Sequence, residues 1–418
     1  MHGMDMGTIL AVLGILLAVV ALPWVAARID KTVRRWHHGR TGSYPNDAYL
    51  SGMSPVERLA KDRLYYFPKG WVNAVRLWGA DADFVSASRL VARYTHELLV
   101  VPDELVSRRE EIIQQRQREA RENGRIFFDG PNTRLLDWRV TASERAGTGR
   151  EMTQMELDLG PVGWYDFEYL NDAFRNVRSE AGLEAVYEYY VGISKMLKDG
   201  TVRHSKLSNM LDSAVTLVAN DGFVGYQERS NRVGSVPGRL TSAVAENINR
   251  YLDDTDPSDV TRVFHGELDS APSHNPPGND YIPVGVPHPL SAVRRGVRSE
   301  ISPRVADVVS DHHIKLIGLS FDLEALHPDA LWAVFVDLPH NDILQFRRLA
   351  PGKEHIEGDL RFTPSTFESE NTLHLLADER WIPAGKASCI RTIELIDAVR
   401  REKRAGYAAA FQYFREAD

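Results

Sequence analysis

The longest uninterrupted apolar stretch of the chain lies near its amino terminus, at residues 8–27. These twenty residues carry no charge, and a helix of that length spans the roughly 30 Å hydrocarbon core of a bilayer. Residues 1–7 contain no Lys or Arg, whereas five basic residues follow from Arg28 to Arg40. Because basic flanks stay in the cytoplasm, the pattern predicts a single-pass helix with an external tail at residues 1–7 and a cytoplasmic body at the inner membrane. A cleaved signal peptide is the alternative, although its basic leading segment and shorter apolar run are missing.

The next two segments are predicted to be a linker and a helical region. Residues 28–53 are polar and basic and indicate a juxtamembrane linker. Residues 54–124 are predicted to be helical, because Leu90, Val91, Tyr94 and Leu98 form one stripe at helical spacing. Residues 103–122 are mostly charged or amide, which predicts an exposed helix and, as the sharper alternative, a surface for self-association.

From residue 125 onward, short alternating runs predict strands mixed with helices. The strongest local signal is Asn220-Asp221-Gly222 between two β-rich runs, because such a turn needs residues that accept positive φ. Further strands are predicted at 125–129, 135–140, 155–159, 315–323 and 331–338, and helices at 182–200, 290–301 and 389–404. The pattern predicts an α+β domain at residues 125–404, followed by a C-terminal tail at 405–418.

Charge limits the partners that the body can bind. The whole chain has a net charge of −8, and residues 1–45 carry five basic and two acidic residues, which leaves −11 for residues 46–418. A body this acidic is a poor general binder of nucleic-acid backbone, whereas the basic collar suits the anionic inner leaflet. The lone Cys389 excludes an intrachain disulfide and agrees with a cytoplasmic location.

A helix with one arginine and a nearby glutamate follows the predicted hairpin, and this order carries a family resemblance. The hairpin ends in Arg229-Ser230, the segment GRLTSAVAENI brings Glu246, and the helix AVRRGVRSEISP brings Arg295 and Glu300. The series resembles the Nudix domain, best over residues 211–247 and 288–338. That resemblance implies an α/β/α sandwich with a mixed sheet, preceded here by the helical segment and the transmembrane helix.

The resemblance also implies a chemistry, which this chain keeps only in part. Nudix glutamates on one helix face hold divalent cations, usually Mg²⁺, against a diphosphate, and the signature arginine orients a glutamate. Here Arg295 matches that arginine, while Gly296 and Ser299 stand where two glutamates belong, and Glu300 matches the third. The resemblance therefore implies Arg295, Glu246 and Glu300 as catalytic residues, the two glutamates as metal ligands, and Mg²⁺ as cofactor.

Further residues complete the predicted site. Four arginines near the hairpin and on the helix are the candidate phosphate ligands: Arg229, Arg232, Arg239 and Arg298. Four downstream carboxylates are candidates to supply the missing metal ligand: Glu354, Glu357, Glu368 and Glu370. For each arginine the alternative is an ordinary solvated surface position.

The expected function follows from the resemblance and the anchor together. A transmembrane segment joined to a degenerate Nudix domain resembles the effectors of bacterial cyclic-oligonucleotide antiphage systems. It implies a sensor that binds a phosphorylated nucleotide and acts at the membrane, with homo-oligomerisation as the way in which a single helix would assemble. A Mg²⁺-dependent hydrolase of nucleoside diphosphate derivatives and a non-catalytic membrane scaffold are the alternatives.

Overall fold

The body of the chain is described by a computed structural model. It covers residues 54–80, 83–95, 97–122, 127, 129–144, 151–175, 182, 185–230, 238–250, 252–253, 263–264, 286–350 and 358–417. No helix in these ranges combines the length and the apolarity that a bilayer crossing requires. The predicted membrane span at residues 8–27 and the linker at residues 28–53 lie outside the described residues.

Strands and helices alternate along the described chain, which confirms the predicted α+β class with a mixed sheet. The strands are β1 Leu64–Phe67, β2 Gly70–Trp78, β3 Val85–Ser86, β4 Leu90–Tyr94, β5 Pro131–Glu144, β6 Glu151–Gly163, β7 Asp212–Ala219, β8 Phe223–Arg229, β9 Leu240–Ser242, β10 Val244–Asn247, β11 Val263–Phe264, β12 Ile314–Asp322, β13 His327–Val336 and β14 Gly358–Pro364. The helices are α1 Pro55–Leu59, α2 Asp103–Glu122, α3 Trp164–Arg175, α4 Ile193–Asp199, α5 Pro289–Gly296, α6 Pro303–Asp307, α7 His340–Leu349, α8 Glu370–Ala377, α9 Pro383–Lys403 and α10 Tyr407–Glu416.

The strands form two sheets. Among the described residues, the larger sheet has the order β1-β2-β12-β13-β7-β8-β14, with three short strands paired along it, and the smaller has the order β11-β4-β6-β5. In the larger sheet β13 runs parallel to β7 and antiparallel to β12. Since β12, β13 and most of β7 are buried on both faces, most of their residues are apolar, and their polar residues lie chiefly at the strand ends.

Two apolar cores cover the two faces of the larger sheet. On one face α9 and α10 pack against Ala214, Leu331 and Phe335. On the other face Val215, Trp332 and Val334 belong to a larger core that also includes α5 and the smaller sheet. Alternate residues of each strand therefore point to opposite layers, and both layers are filled by helices or by the second sheet.

Several predicted elements are confirmed. The hairpin is formed by β7 and β8. Its turn requires a positive φ at Gly222, which has φ +92°, and a residue without a Cβ adopts this conformation readily. The predicted strands at 135–140, 155–159, 315–323 and 331–338 fall on β5, β6, β12 and β13. The helix predicted at 290–301 is α5 with a π-helical turn at Val297–Ile301, and that at 389–404 lies within α9.

Two predicted segments are wrong. The region 54–124 is not helical throughout, because β1 to β4 lie between α1 and α2. Leu90, Val91 and Ala92 are consecutive buried residues of β4, and a short apolar run of this kind fits a buried strand as well as a helix stripe. The segment 405–418 is not a plain tail, since α10 inserts Phe411 and Phe414 into the core below α9. Helix α2 is largely exposed as predicted, and its buried residues include Leu105, Ile112 and Ile113.

Candidate functional site

Arg295 and Glu246, two of the residues that the resemblance implies as catalytic, are brought together. Arg295 lies in the last turn of α5, and its Nη1 donates to Glu246 Oε2 at 2.7 Å. Its Nε and Nη2 also donate to the two carboxylate oxygens of Asp253, both at 2.9 Å, and Nη2 donates to the Asn247 carbonyl. Burial would lower the pKa of Arg295, but the contacts with Asp253 and Glu246 outweigh it and raise the pKa. The guanidinium is thus committed to two carboxylates of the protein itself.

Glu300 has hydrogen-bond partners other than that pair. Helix α5 continues into the π turn at Val297–Ile301, where the wider turn displaces side chains from the usual i, i+4 alignment. Glu300 is consequently buried, and its carboxylate accepts from Gln227 Nε2 at 3.0 Å and from the Ala245 amide at 3.4 Å. The wider turn therefore commits the third signature glutamate to contacts inside the protein.

Gly296 fills a position where the Nudix signature has a glutamate, and packing explains the glycine. A Cβ at this residue would lie 2.3 Å from Val244 Cγ1 and 2.8 Å from Glu246 Cγ. Both neighbours belong to β10, on which α5 rests. A carboxylate side chain at position 296 would have to separate the helix from the strand.

The four predicted phosphate-binding arginines have different surroundings. Arg239 donates to the carbonyl oxygens of Arg380 and Trp381, so it serves to hold the loop before α9. The positive charge of Arg229 lies near Asp212 and lowers the pKa of that carboxyl, against the larger effect of burial, which raises it. Arg298 is exposed on α5's π turn, where it pairs with Asp307 at 2.6 Å, and Arg232 lies outside the described residues.

A groove runs beside the end of α5, on the side that carries Arg298. Its lining residues come from α5, the π turn, α6 and the start of β12: Arg294, Val297, Arg298, Ala306, Val309 and Ile314. The groove therefore combines apolar walls with two guanidinium groups. Arg294 pairs with Asp311, as Arg298 pairs with Asp307.

The predicted downstream carboxylates do not complete a site with these residues. Glu368 and Glu370 are exposed at and before the start of α8, and Glu354 and Glu357 lie outside the described residues. Within the described ranges, a different group of side chains converges in the way that metal ligands do. These residues are Asp212, His327 and Asp329.

This second cluster lies at the ends of three neighbouring strands. Asp212 begins β7 and is the register partner of Asp329 on β13, while Asp322 at the end of β12 is the register partner of His327. His327 Nε2 lies 3.9 Å from Asp212 Oδ2, and His327 Nδ1 lies 3.7 Å from Asp329 Oδ1. Both distances are too long for hydrogen bonds. These three residues can hold a metal ion.

Electrostatics inside the cluster are strongly coupled. Burial would lower the pKa of His327, but the three carboxylates around it outweigh that effect and raise the pKa to about 9. Burial raises the pKa of Asp322 to about 6 and that of Asp329 well above its ordinary value, although His327 opposes both shifts. Asp212 is the most exposed member, with 26% of its side chain accessible.

The end of β10 connects the two clusters. The backbone carbonyl of Asn247 accepts from Arg295, and its side-chain amide lies against both carboxylate oxygens of Asp212, to which the amide nitrogen donates when it faces them. The signature-like helix and the acidic cluster thus lie at the same edge of the larger sheet.

Sequence reasoning missed the acidic cluster. Asp212 and His327 are 115 residues apart in the chain, and the parallel pairing of β7 with β13 brings them together. A weaker signal was visible in His327-Pro328-Asp329, because residues at i and i+2 of a strand share one face. No protein-family model matches the chain, and no curated protein matches it.

Proposed function

We propose that this chain is a membrane-anchored protein with a divergent, Nudix-like body that binds a phosphorylated nucleotide without hydrolysing it at α5. The observation that carries the proposal is the groove beside α5 and α6. Apolar side chains there suit a base and sugar, and the guanidinium groups of Arg294 and Arg298 suit a phosphate.

The ion pair of Arg298 leaves this guanidinium able to exchange partners. Its side chain and that of Asp307 are 57% and 63% exposed, respectively. Exposed pairs of this kind contribute at most about 1 kcal/mol, so a phosphate with two or three oxygens competes well for the arginine. The prediction of Arg298 as a ligand-binding residue therefore stands as part of the proposal.

The surroundings of α5 argue against the hydrolase alternative. A Mg²⁺ site at this helix needs several carboxylates directed at one ion. Position 296 has no room for one, Glu246 is held by Arg295, and Glu300 is held by Gln227. Mg²⁺ is thus proposed only as a companion of the phosphate ligand, and the anchor and the basic linker remain the proposed contacts with the inner membrane.

The test is ligand binding by the full chain in detergent or nanodiscs. We expect a thermal shift with at least one nucleoside diphosphate derivative or cyclic oligonucleotide, reduced at least tenfold in affinity by Arg298→Gln. Arg108→Gln, on the exposed helix α2, is the matched control and should bind as the original chain does. Absence of a shift with any of these ligands would contradict the proposal and favour the scaffold.

Turnover assays separate the sensor from the enzyme. The proposed sensor releases no phosphate or nucleoside monophosphate in the presence of Mg²⁺. Mg²⁺-dependent release that Glu300→Gln abolishes, in a variant that still unfolds at the original temperature, would establish the hydrolase instead. A ligand that also shifts the chain towards larger assemblies would support the antiphage-effector form of the proposal.

A further inference from the structure

The acidic cluster at the ends of β7, β12 and β13 has the spacing of a metal site. The ligand-type atoms of Asp212, His327 and Asp329 all lie within 4.8 Å of one another. Metal–ligand bonds of about 2.0–2.2 Å place neighbouring ligand atoms roughly 3–4 Å apart. An imidazole binds one metal ion through one ring nitrogen. Nδ1 of His327 lies 3.2 Å from the Pro328 carbonyl oxygen, which leaves Nε2, at 3.9 Å from Asp212 Oδ2, as the ligand atom in this range.

Buried oxygens around the cluster lack hydrogen-bond partners, which is an independent sign of a missing ligand. Oδ2 of Asp329, Oδ2 of Asp322 and Oγ of Ser320 have none in the described part of the chain, and these residues are 2%, 1% and 0% exposed. Ser320 is the register partner of Asp329, so both side chains lie on one face of the sheet, about 5 Å apart. Native proteins rarely leave such groups unsatisfied unless a water or an ion completes them.

Charge points to a cation as the ligand. Three carboxylates surround one imidazole, so even a charged His327 compensates only one of three negative groups. Arg229 acts on Asp212, the exposed member, less strongly than His327 does. Buried carboxylates are normally paired or coordinate a metal.

We propose that Asp212, His327 and Asp329 bind one divalent transition-metal ion, with Mn²⁺ as the representative, in preference to Mg²⁺. One imidazole nitrogen with carboxylate oxygens is a ligand set that transition ions accept. Mg²⁺ gives up its water reluctantly and usually keeps several water ligands. His327 supplies a nitrogen ligand, whereas Mg²⁺ is bound through oxygen ligands.

The surrounding residues fit this site. Asn247 donates to Asp212 and orients its carboxylate, and Asp322 is held by the backbone amides of Glu324 and Ala325 beside His327. Three protein ligands leave coordination positions for water or an anionic oxygen, and Asp212 is the side from which solvent reaches them. The site is independent of the groove proposed for the nucleotide, which is formed by α5 and α6.

The experiment is Mn²⁺ binding to the full chain after removal of metals with a chelator, followed by electron paramagnetic resonance and calorimetry. We expect one saturable Mn²⁺ site, at least tenfold tighter for Mn²⁺ than for Mg²⁺. Asp329→Asn and Asp212→Asn should each weaken Mn²⁺ binding at least tenfold, while Asp62→Asn, an exposed carboxylate in the turn before β1, should leave it unchanged.

Two variants keep the test interpretable if one fails to fold. Asp212 is partly exposed, so Asp212→Asn is the safer substitution, and circular dichroism checks that each variant retains the fold. The proposal is overturned if the original chain shows no saturable site, if both variants bind Mn²⁺ as tightly as it does, or if Mg²⁺ binds as tightly as Mn²⁺. None of these results bears on nucleotide binding at Arg298.

Discussion

Two charged clusters lie at the same edge of the larger sheet, and they differ in how completely their polar atoms are satisfied. Around Arg295, the carboxylates of Glu246 and Asp253 receive charge-assisted hydrogen bonds of 2.7–2.9 Å. Around His327, the distances to Asp212 and Asp329 exceed hydrogen-bonding range, and Asp329 Oδ2 has no partner in the described chain. The first cluster is complete as a structural unit, whereas the second leaves a buried carboxylate oxygen without a hydrogen-bond partner among the described residues.

The difference teaches where chemistry is to be sought in a divergent domain. The helix that resembles a catalytic signature uses Arg295 and Glu300 for contacts inside the protein. The ends of β7, β12 and β13, which carry no recognisable motif, hold the buried carboxylates. Hydrogen-bond satisfaction thus separates a structural ion pair from a candidate site more sharply than a motif match does.

The largest effect is expected from removing the centre of the satisfied cluster. Arg295→Met leaves Glu246 and the fully buried Asp253 without their cation, which should lower the free energy of unfolding by about 3 kcal/mol. Urea unfolding measures the change. Arg298→Met, on the same helix but exposed, is the control and should cost less than about 1 kcal/mol. Equal costs for the two variants would contradict the structural role of Arg295.

A smaller loss is expected from restoring the signature glutamate. Gly296→Glu places a side chain against Val244 and brings a second carboxylate close to Glu246, so stability should fall by about 2 kcal/mol. Ser299→Glu, at the exposed signature position, should change it by less than about 0.5 kcal/mol. A Gly296→Glu variant that folds normally and gains Mg²⁺-dependent hydrolysis would revive the enzyme reading of α5.

The parts of the fold that the sequence predicted are those with a local cause. Asn220-Asp221-Gly222 specifies its turn through backbone conformation, and the strands β12 and β13 are long apolar runs. The failures have a tertiary cause. Leu90, Val91 and Ala92 become a strand because β6 lies beside them, and Phe411 and Phe414 order α10 because α9 leaves an apolar surface for them.

The candidate site divides in the same way. The resemblance implied Arg295 and Glu246 as residues of one site, because both lie in or near elements that it orders along the chain, and the structure places them in contact. The turning of Glu300 was not, since nothing in the sequence announces the π turn that displaces it. The convergence of Asp212 with Asp329 depends on a parallel strand pairing, which hydrophobic periodicity does not specify.

In the second cluster, around His327, a substitution is expected to raise the free energy of unfolding instead of lowering it. Asp329→Asn removes a carboxylate whose pKa is raised by burial, and such a group lowers the free energy of unfolding as pH rises from the ordinary carboxyl pKa towards the folded-state pKa. In chelator at neutral pH, the free energy of unfolding should therefore rise by about 1 kcal/mol. Urea unfolding without Mn²⁺ measures this gain in the free energy of unfolding. Urea unfolding with Mn²⁺ measures the Mn²⁺-dependent stabilisation, which the same variant should lose. A large loss in chelator would mean that Asp329 already forms a satisfied pair with His327.

The smallest change is expected in the titration of His327 itself. Its pKa is raised to about 9 by Asp329, Asp212 and Asp322 against the effect of burial, while the ring edge of Phe167 packs against it without charge. A histidine with a raised folded-state pKa stabilises the fold fully below about pH 6.5, and that contribution disappears as pH rises through 9. In metal-free protein, the His327 ring signal in NMR should titrate near pH 9, and Asp329→Asn should move its midpoint towards 6.5. Burial lowers the pKa of Lys386 to about 8, so this lysine also changes stability in the same pH range. The stability profile is therefore compared with that of His327→Gln, which should lack the fall in the free energy of unfolding that His327 causes between pH 6.5 and 9. An unchanged midpoint in Asp329→Asn would show that the two side chains are not coupled, and the contrast between the two clusters would then rest on geometry alone.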